Sequence, residues 1–208
     1  DLADPGGVLI SPHPSVVAVT HLIFPLTSFG LQEVVAYVVQ PASMRGQKGL
    51  DELFEQTRSI VSFTEQVPQE VFGGQQAFNL LPLDLSTDLL VSQIQTVLGG
   101  KQNLALRIVQ GGIFHGLSVS VFSRLAQDPG VDALRDAYDD HPQTERVAEP
   151  DLLGPIAAAA SEEILVGSVE SAPGLPGAYW VWGVMDNLTR GGATNALEIA
   201  AAALSARS

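Results

Sequence analysis

The spacing of apolar residues changes period several times along the chain, and each change marks an element. From Ser15 to Ser28 the spacing is helical, with Pro25 expected to kink or end the helix because proline lacks an N–H and clashes with the preceding turn. Leu31–Gln40 carries the run Val34-Val35-Ala36-Tyr37-Val38-Val39, continuous enough for a buried strand. Gly46–Phe63 is amphipathic: Leu50, Leu53, Phe54, Thr57, Ile60 and Val61 share a face, with Glu52, Glu55 and Arg58 opposite. Ser86–Leu98 repeats the pattern through Leu90, Ile94, Val97 and Leu98, with Ser86, Thr87 and Asp88 as candidate caps.

Leu104–Val109 and Leu117–Phe122 read as strands. In the second, Leu117, Val119 and Val121 alternate with Ser118 and Ser120, and Gly111-Gly112 suits a turn or bulge between the two. Asp128–Tyr138 suits a short helix, followed by the acidic loop Asp139-Asp140-His141-Pro142. Ile164–Val169 and Ala178–Val184 read as further strands. An alanine-rich helix from about Leu188 to Leu204, capped by Asp186 or Asn187, closes the chain. Intermixed strands and helices predict an α/β or α+β domain, a mixed β-sheet covered by helices.

Composition narrows the partners. The 208 residues contain 46% hydrophobic side chains, enough for one domain with a sizeable core. Ten Lys and Arg against 23 Asp and Glu leave a net charge of −13, which argues against nucleic acid and anionic lipid. There is no cysteine, which excludes disulfides and thiolate metal sites and fits a reducing, cytoplasmic setting. The apolar stretch Ser15–Leu26 is broken by Thr20, His21 and Pro25, too short to span a membrane, and no basic segment precedes it. The chain opens on Asp1 rather than Met, which hints at a processed or truncated start.

Generic motifs leave the function open. There is no P-loop, no G-x-G-x-x-G, no H-E-x-x-H and no G-x-S-x-G. His13, His21, His115 and His141 lie far apart in sequence, so no metal site is expected, and Asp139-Asp140 reads as a solvated pair.

Four strings in order are more specific: Ile10-Ser11-Pro12-His13-Pro14-Ser15; Val39-Gln40 followed by Asp51-Glu52-Leu53; Ala77-Phe78-Asn79-Leu80-Leu81-Pro82; and Asp186-Asn187-Leu188-Thr189-Arg190-Gly191-Gly192-Ala193-Thr194-Asn195-Ala196. Together they resemble the aspartate-semialdehyde dehydrogenase family, whose corresponding strings are N-P-N-C-S, Y-Q-A-V-S-G…D-E-L, A-F-N-V-I-P and D-N-L-R-K-G-A-A-x-N-A. The resemblance implies a C-terminal domain like that of semialdehyde and glyceraldehyde-3-phosphate dehydrogenases, with the family's N-terminal Rossmann domain absent from this chain. It divides the chain into a dimerisation domain of catalytic type over 1–185 and a helix over 186–208 that would pack on that missing domain. The implied partner is a second copy, and the implied cofactor is NADP, with no metal.

The departures bear on chemistry. The family uses a cysteine thiolate to form an acyl-enzyme and a histidine as acid/base. Carried over, the cysteine falls on Pro14, the histidine on Leu117, the substrate-binding arginine on Gln110, and the phosphate-gripping lysine on Leu89. A family glutamate falls on Val119. Gln40, matching the active-site glutamine, is retained, as is Ser43 beside the cofactor; Met44 replaces a glycine, and Asn187 is the expected contact with a dinucleotide. The resemblance thus implies a non-catalytic homologue that keeps fold and dimer. Two alternatives stay open: an active NAD(P)-dependent semialdehyde dehydrogenase with rearranged residues, and hydrolysis through Ser15 with His13 or His115 as base. Ser15 otherwise reads as a helix cap.

Overall fold

A computed structural model describes residues 8–64, 66–83, 85–100 and 102–205. Seven strands form one mixed sheet: β1 (Leu31–Gln40), β2 (Leu80–Pro82), β3 (Asn103–Gly111), β4 (Leu117–Leu125), β5 (Thr144–Arg146), β6 (Ile164–Ser171) and β7 (Ala178–Met185). The order is β2-β3-β1-β4-β7-β6-β5, with β1 parallel to β3, β5 parallel to β6, and every other neighbouring pair antiparallel.

The main core lies on one face of this sheet, and a smaller cluster of Leu153, Ala158, Leu165 and Val184 lies on the other. Val34, Ala36 and Val38 of β1, Val119 and Val121 of β4 and Val181 of β7 project into the main core, where α1 (Pro14–Ile23), α3 (Asp88–Val97) and α4 (Val131–Asp139) cover them. Strand alternation sends the intervening residues to the other face. Val35 pairs with Ala105 and Phe122, Phe122 with Trp180, and Tyr37 with Arg107 and Ser120. Val35, Tyr37 and Trp180 remain 46%, 41% and 42% exposed. The expectation of a buried β1 is therefore corrected: within one chain the strand is covered on one side only. Its valine run comes from an apolar second face on which, among the described residues, Val35 and Tyr37 stay exposed. Phe122 and Trp180 meet edge-on there, their ring centroids 5.1 Å apart.

Helix boundaries follow local chemistry. α1 ends at Ile23, and Phe24–Phe29 tightens into a 3₁₀ turn around Pro25, as the proline demands. α2 (Gly46–Val61) forms as its amphipathic spacing predicts, but Glu52 and Gln56 are buried. Glu52 accepts the N–H groups of Val71 (2.6 Å) and Phe72 (3.0 Å). Gln56 donates to the carbonyls of Pro68 and Gly74 and accepts from Gln76 and Ala77. Glu52 thus belongs to a polar anchor for the 66–79 segment, not to a solvated face. The closing helix also differs. Thr189–Thr194 is π-helical, and α5 begins only at Asn195 and runs to Ser205. Of the two candidate caps, Asp186 takes that role, accepting from Leu188 and Thr189 while its other oxygen accepts from Ala160.

A polar cluster joins the closing segment to the layer of helices on the core face. His21 Nδ1 of α1 and His141 Nε2, just past α4, share a hydrogen bond at 3.0 Å. Arg190 is buried and gripped at both terminal nitrogens by Glu198 of α5 (2.7 Å each). Burial, then the neighbouring His141 and Arg190, push His21 down to about 4, against a smaller opposing pull from Glu198. Because the folded value lies below the unfolded one, the unfolded chain binds the extra proton. Stability is therefore held above about pH 6.5 and lost as the pH falls towards 4. Acidification from pH 7.5 to 5 is expected to cost about 2 kcal/mol through His21 alone. His21→Gln should flatten the dependence in urea titrations at the two pH values, and an unchanged slope would contradict it.

Candidate functional site

Four segments converge at the carboxyl ends of the parallel pair β1 and β3, the end of an α/β sheet where ligands usually bind. They are the start of α1, the turn after β1, the 76–85 segment, and the 186–195 segment. Ala42 and Ser43 in the turn donate their N–H groups to Ile113 and Phe114, fastening it to the β3–β4 connection. Gly112 donates to Asn79, and a side chain at 112 would meet the Gln76 carbonyl at 2.5 Å, so only glycine permits this approach.

Proline suits the first position of α1, where its missing N–H costs nothing. A Cβ added at Gly191 would lie 2.9 Å from Pro14 Cβ and 2.7 Å from the Met185 methyl, so the ring is packed tightly against the closing segment. The N-cap is His13, whose Nδ1 accepts the Ser15 N–H at 3.1 Å. Ser15 instead is the second residue of the helix: its hydroxyl is fully buried and has no hydrogen-bond partner among the described residues. The cap expected of Ser15 is thus supplied by the residue two before it, and no hydrogen bond links Ser15 Oγ to His13 or to exposed His115.

Because Nδ1 of His13 accepts, the neutral ring carries its proton on Nε2. Burial pushes this histidine below its ordinary value, which keeps it neutral at neutral pH. Its Nε2 lies 3.4 Å from Nε2 of the Gln40 side-chain amide. Gln40 closes β1 and is almost fully buried. Its carbonyl accepts from Gln110 Nε2 at 3.0 Å. Gln110 is thereby committed to the backbone of the neighbouring strand.

Leu117 and Val119 are fully enclosed in the core beside α1. Neither lines the cavity at the head of that helix, whose walls are His13, Gln40, Met44, Arg45, Leu83 and Leu85, around a volume of about 190 Å³. Leu89 is exposed on α3. Of the positions singled out in the sequence, Gln40 and Met44 meet at this cavity, Pro14 and Gln110 sit behind it, and Leu117 is sealed away. His13 and Arg45 complete the lining. The sequence offers His13 as a base for Ser15 and as one of four scattered histidines, and no motif marks Arg45.

Ser43 and Asn187 are both buried and satisfy each other: Ser43 Oγ–H donates to Asn187 Oδ1 (3.2 Å) and Asn187 Nδ2 donates back to Oγ (3.0 Å). Asn187 also accepts from the Gly116 N–H (3.0 Å) and donates to Met44 Sδ (3.6 Å). All four hydrogen-bonding positions of its amide are used. In this arrangement the pair holds the turn after β1 and the wall at Met44, and one acceptor position remains on Ser43 Oγ. Among the described residues no group of three or more His, Cys, Asp or Glu could hold a metal ion.

The sequence profile described as "Semialdehyde dehydrogenase, dimerisation domain" matches residues 23–190. The chain belongs to that family. It is 26% identical over 206 residues to the aspartate-semialdehyde dehydrogenase of Rickettsia bellii, covering 93% of this chain and 61% of that protein. It is 28% identical over 166 residues to a USG-1 protein homolog of Pseudomonas aeruginosa, covering 74% and 49%. The solved structure of a probable aspartate-semialdehyde dehydrogenase from Pseudomonas aeruginosa superposes with a TM-score of 0.88 at 24% identity, covering 96% of this chain and 63% of that one. The fold is therefore that of the family's C-terminal domain, and the chain spans about three fifths of the length of such relatives.

Proposed function

We propose that this protein is a non-catalytic homologue of aspartate-semialdehyde dehydrogenase that acts as a homodimer. The observation that carries this reading is the head of α1. At the nucleophile position stands Pro14, whose ring is wedged against Gly191, and at the acid/base position stands Leu117, enclosed in the core. Neither offers a lone pair or a proton. Losing such a nucleophile or its base costs on the order of 10⁶ in turnover, about 8 kcal/mol of barrier. With Gln110 in place of the substrate arginine, the clamp is lost as well.

The dimer part is supported by the open sheet face, where Val35, Tyr37, Phe122 and Trp180 form an apolar surface of the kind that partners cover. The reading includes NADP held chiefly by a domain outside these 208 residues, with Ser43, Met44 and Asn187 as this chain's edge of that site. Residues 1–185 form the dimerisation unit, and the segment over 186–208, with α5 (Asn195–Ser205), is the part that docks on the cofactor domain. Leu197 and Leu204 are exposed on α5, which suits such docking. The reading puts the homodimer in the cytoplasm, and no described helix is long and apolar enough to cross a membrane.

An intact-protein assay tests the core of it. With aspartate semialdehyde and phosphate, no NADP reduction is expected. Pro14→Cys alone is expected to restore none, since base and clamp are missing too; measurable turnover in that variant would refute the assignment of Leu117 and Gln110. A second reading, an active dehydrogenase with rearranged residues, draws on the neutral His13 beside Gln40 at the cavity. Phosphate-dependent reduction of NADP by the unmodified protein would establish it.

A further inference from the structure

We propose that His21 and His141 form a proton-operated latch on the closing segment. While both are neutral, Arg190 and Glu198 hold α5 in place, and acid releases the segment 189–205 ahead of the sheet.

The facing nitrogens, His21 Nδ1 and His141 Nε2, lie 3.0 Å apart with one proton between them, one ring donating and the other accepting. The Phe24 ring stacks on His141, centroids 5.4 Å apart, and covers the pair with apolar surface. Arg190 acts on both imidazoles from the closing segment. It is buried, its Nε has no hydrogen-bond partner among the described residues, and its terminal nitrogens donate to Glu198 at 2.7 Å. A guanidinium does not release its proton, and one carboxylate brings one negative charge. The cluster is therefore neutral only while both imidazoles are neutral. A first added proton leaves one uncompensated positive charge. A second also breaks the histidine bond, because both facing nitrogens then carry N–H.

No other charge is placed to absorb the proton. On the elements packed around α1 and α4, Arg124 pairs with Glu33, Arg135 with Asp132 and Arg146 with Asp139. Asp88, Asp136, Asp140, Glu145 and Glu170 are exposed to water. Tyr179 is bonded to Asp128, and burial raises Tyr138, which stays neutral. Glu198 is the acid that acts on His21, and Arg190 already holds it.

The closing segment is the part free to yield. Among the residues of α5 only Asn195 and Ala203 are buried, and Leu197 and Leu204 face solvent. Polar bonds hold it instead: the two from Arg190, and Asn195 Nδ2 to Ser11 Oγ at 2.9 Å. Segments with few buried apolar contacts open before the rest of a domain. Opening 189–205 removes Arg190 from beside His21 and gives both groups water.

Burial, then His141 and Arg190, hold His21 at about 4, and burial, then Arg190, lowers His141. The Arg190 bonds keep Glu198 below the ordinary carboxylate range, so it stays ionised at pH 5. Because the folded histidine values lie below the open ones, the open form binds the extra proton. The segment is held above about pH 6.5 and loosened as the pH falls. With His21 at an ordinary value once open, opening gains about 30-fold between pH 7.5 and 5. Where α5 docks on a cofactor domain, that docking weakens with the same protons, but the latch itself does not depend on docking.

The test is hydrogen exchange by mass spectrometry on the 208-residue protein at pH 7.5 and 5.0, with intrinsic rates corrected for pH. Peptides from 195–205 should exchange faster than those of β4 at both values, and their protection should fall at least ~10-fold in acid. The double variant His21→Gln/His141→Gln should abolish that fall. Protection of α5 unchanged by acid, equal to that of β4, or still falling in the double variant would each overturn the proposal. Glu198→Gln, at a half-exposed position, keeps the test open if the double variant does not fold. It should lower the protection of α5 already at pH 7.5, and no change there would overturn the latch.

Discussion

Gln56→Leu is expected to lower the free energy of unfolding by about 3–5 kcal/mol, although leucine fits the volume and suits a helix. The side chain of Gln56 is fully buried and serves four backbone groups of the 66–79 segment: the carbonyls of Pro68 and Gly74 at 2.7 and 3.0 Å, and the N–H groups of Gln76 and Ala77 at 2.6 and 2.9 Å. Each backbone group left buried without a partner costs about 1–3 kcal/mol, and partial relaxation recovers some of the total. What remains is a large fraction of the ~5–15 kcal/mol that holds a domain together. Urea denaturation should show a lower midpoint at unchanged slope. A loss under about 1 kcal/mol would mean that the segment holds its shape without α2. The consequence reaches the site, because the same segment leads through β2 to Leu83 and Leu85 of the cavity.

Trp180→Glu is expected to convert the dimer to monomer at micromolar concentration. Trp180 sits on the open face, edge-on to Phe122 and opposite Glu170 on β6. A buried tryptophan at the centre of an interface contributes on the order of 3–4 kcal/mol, so its loss weakens association roughly 100- to 1,000-fold. The new carboxylate adds repulsion, from Glu170 within the chain and from its own copy across a two-fold axis. The monomer should remain folded, because this side chain faces away from the core cluster. Sedimentation would report the change, with far-UV circular dichroism as the check on folding. A dimer of undiminished affinity would remove the open sheet face as its interface.

Much of this architecture is legible in residue spacing. α2 and α3 follow from their amphipathic stripes, and β4 from the alternation of Leu117, Val119 and Val121 with serines. Pro25 ends α1 where its chemistry requires. The two three-residue strands β2 and β5 escape such reading, because three residues carry no period and their existence depends on β3 and β6 lying alongside. The π-helical start of the closing segment escapes it too. Gly191 must clear Pro14 and Met185, which is a demand of packing rather than of local propensity.

The candidate site divides in the same way. Pro14, Leu117 and Gln110 can be named from aligned strings, and that proline and leucine side chains carry neither a nucleophile nor a base is a property of the side chains themselves. Spacing could not reveal that Gln110 is bonded to Gln40, or that Ser43 and Asn187, 144 residues apart, consume each other's hydrogen bonds. Nor could it reveal Arg45, a single cation in no motif.

Sequence alone therefore determines which side chains stand at Pro14, Leu117 and Gln110, and with them which atoms those positions carry. It also determines the periods that make the helices and the long strands. Tertiary structure decides which apolar face stays uncovered, which polar groups remain unspent, and which side chains line a common cavity. Those are matters of distance between residues remote in the chain, set by how the sheet is ordered and how the helices close over one side of it.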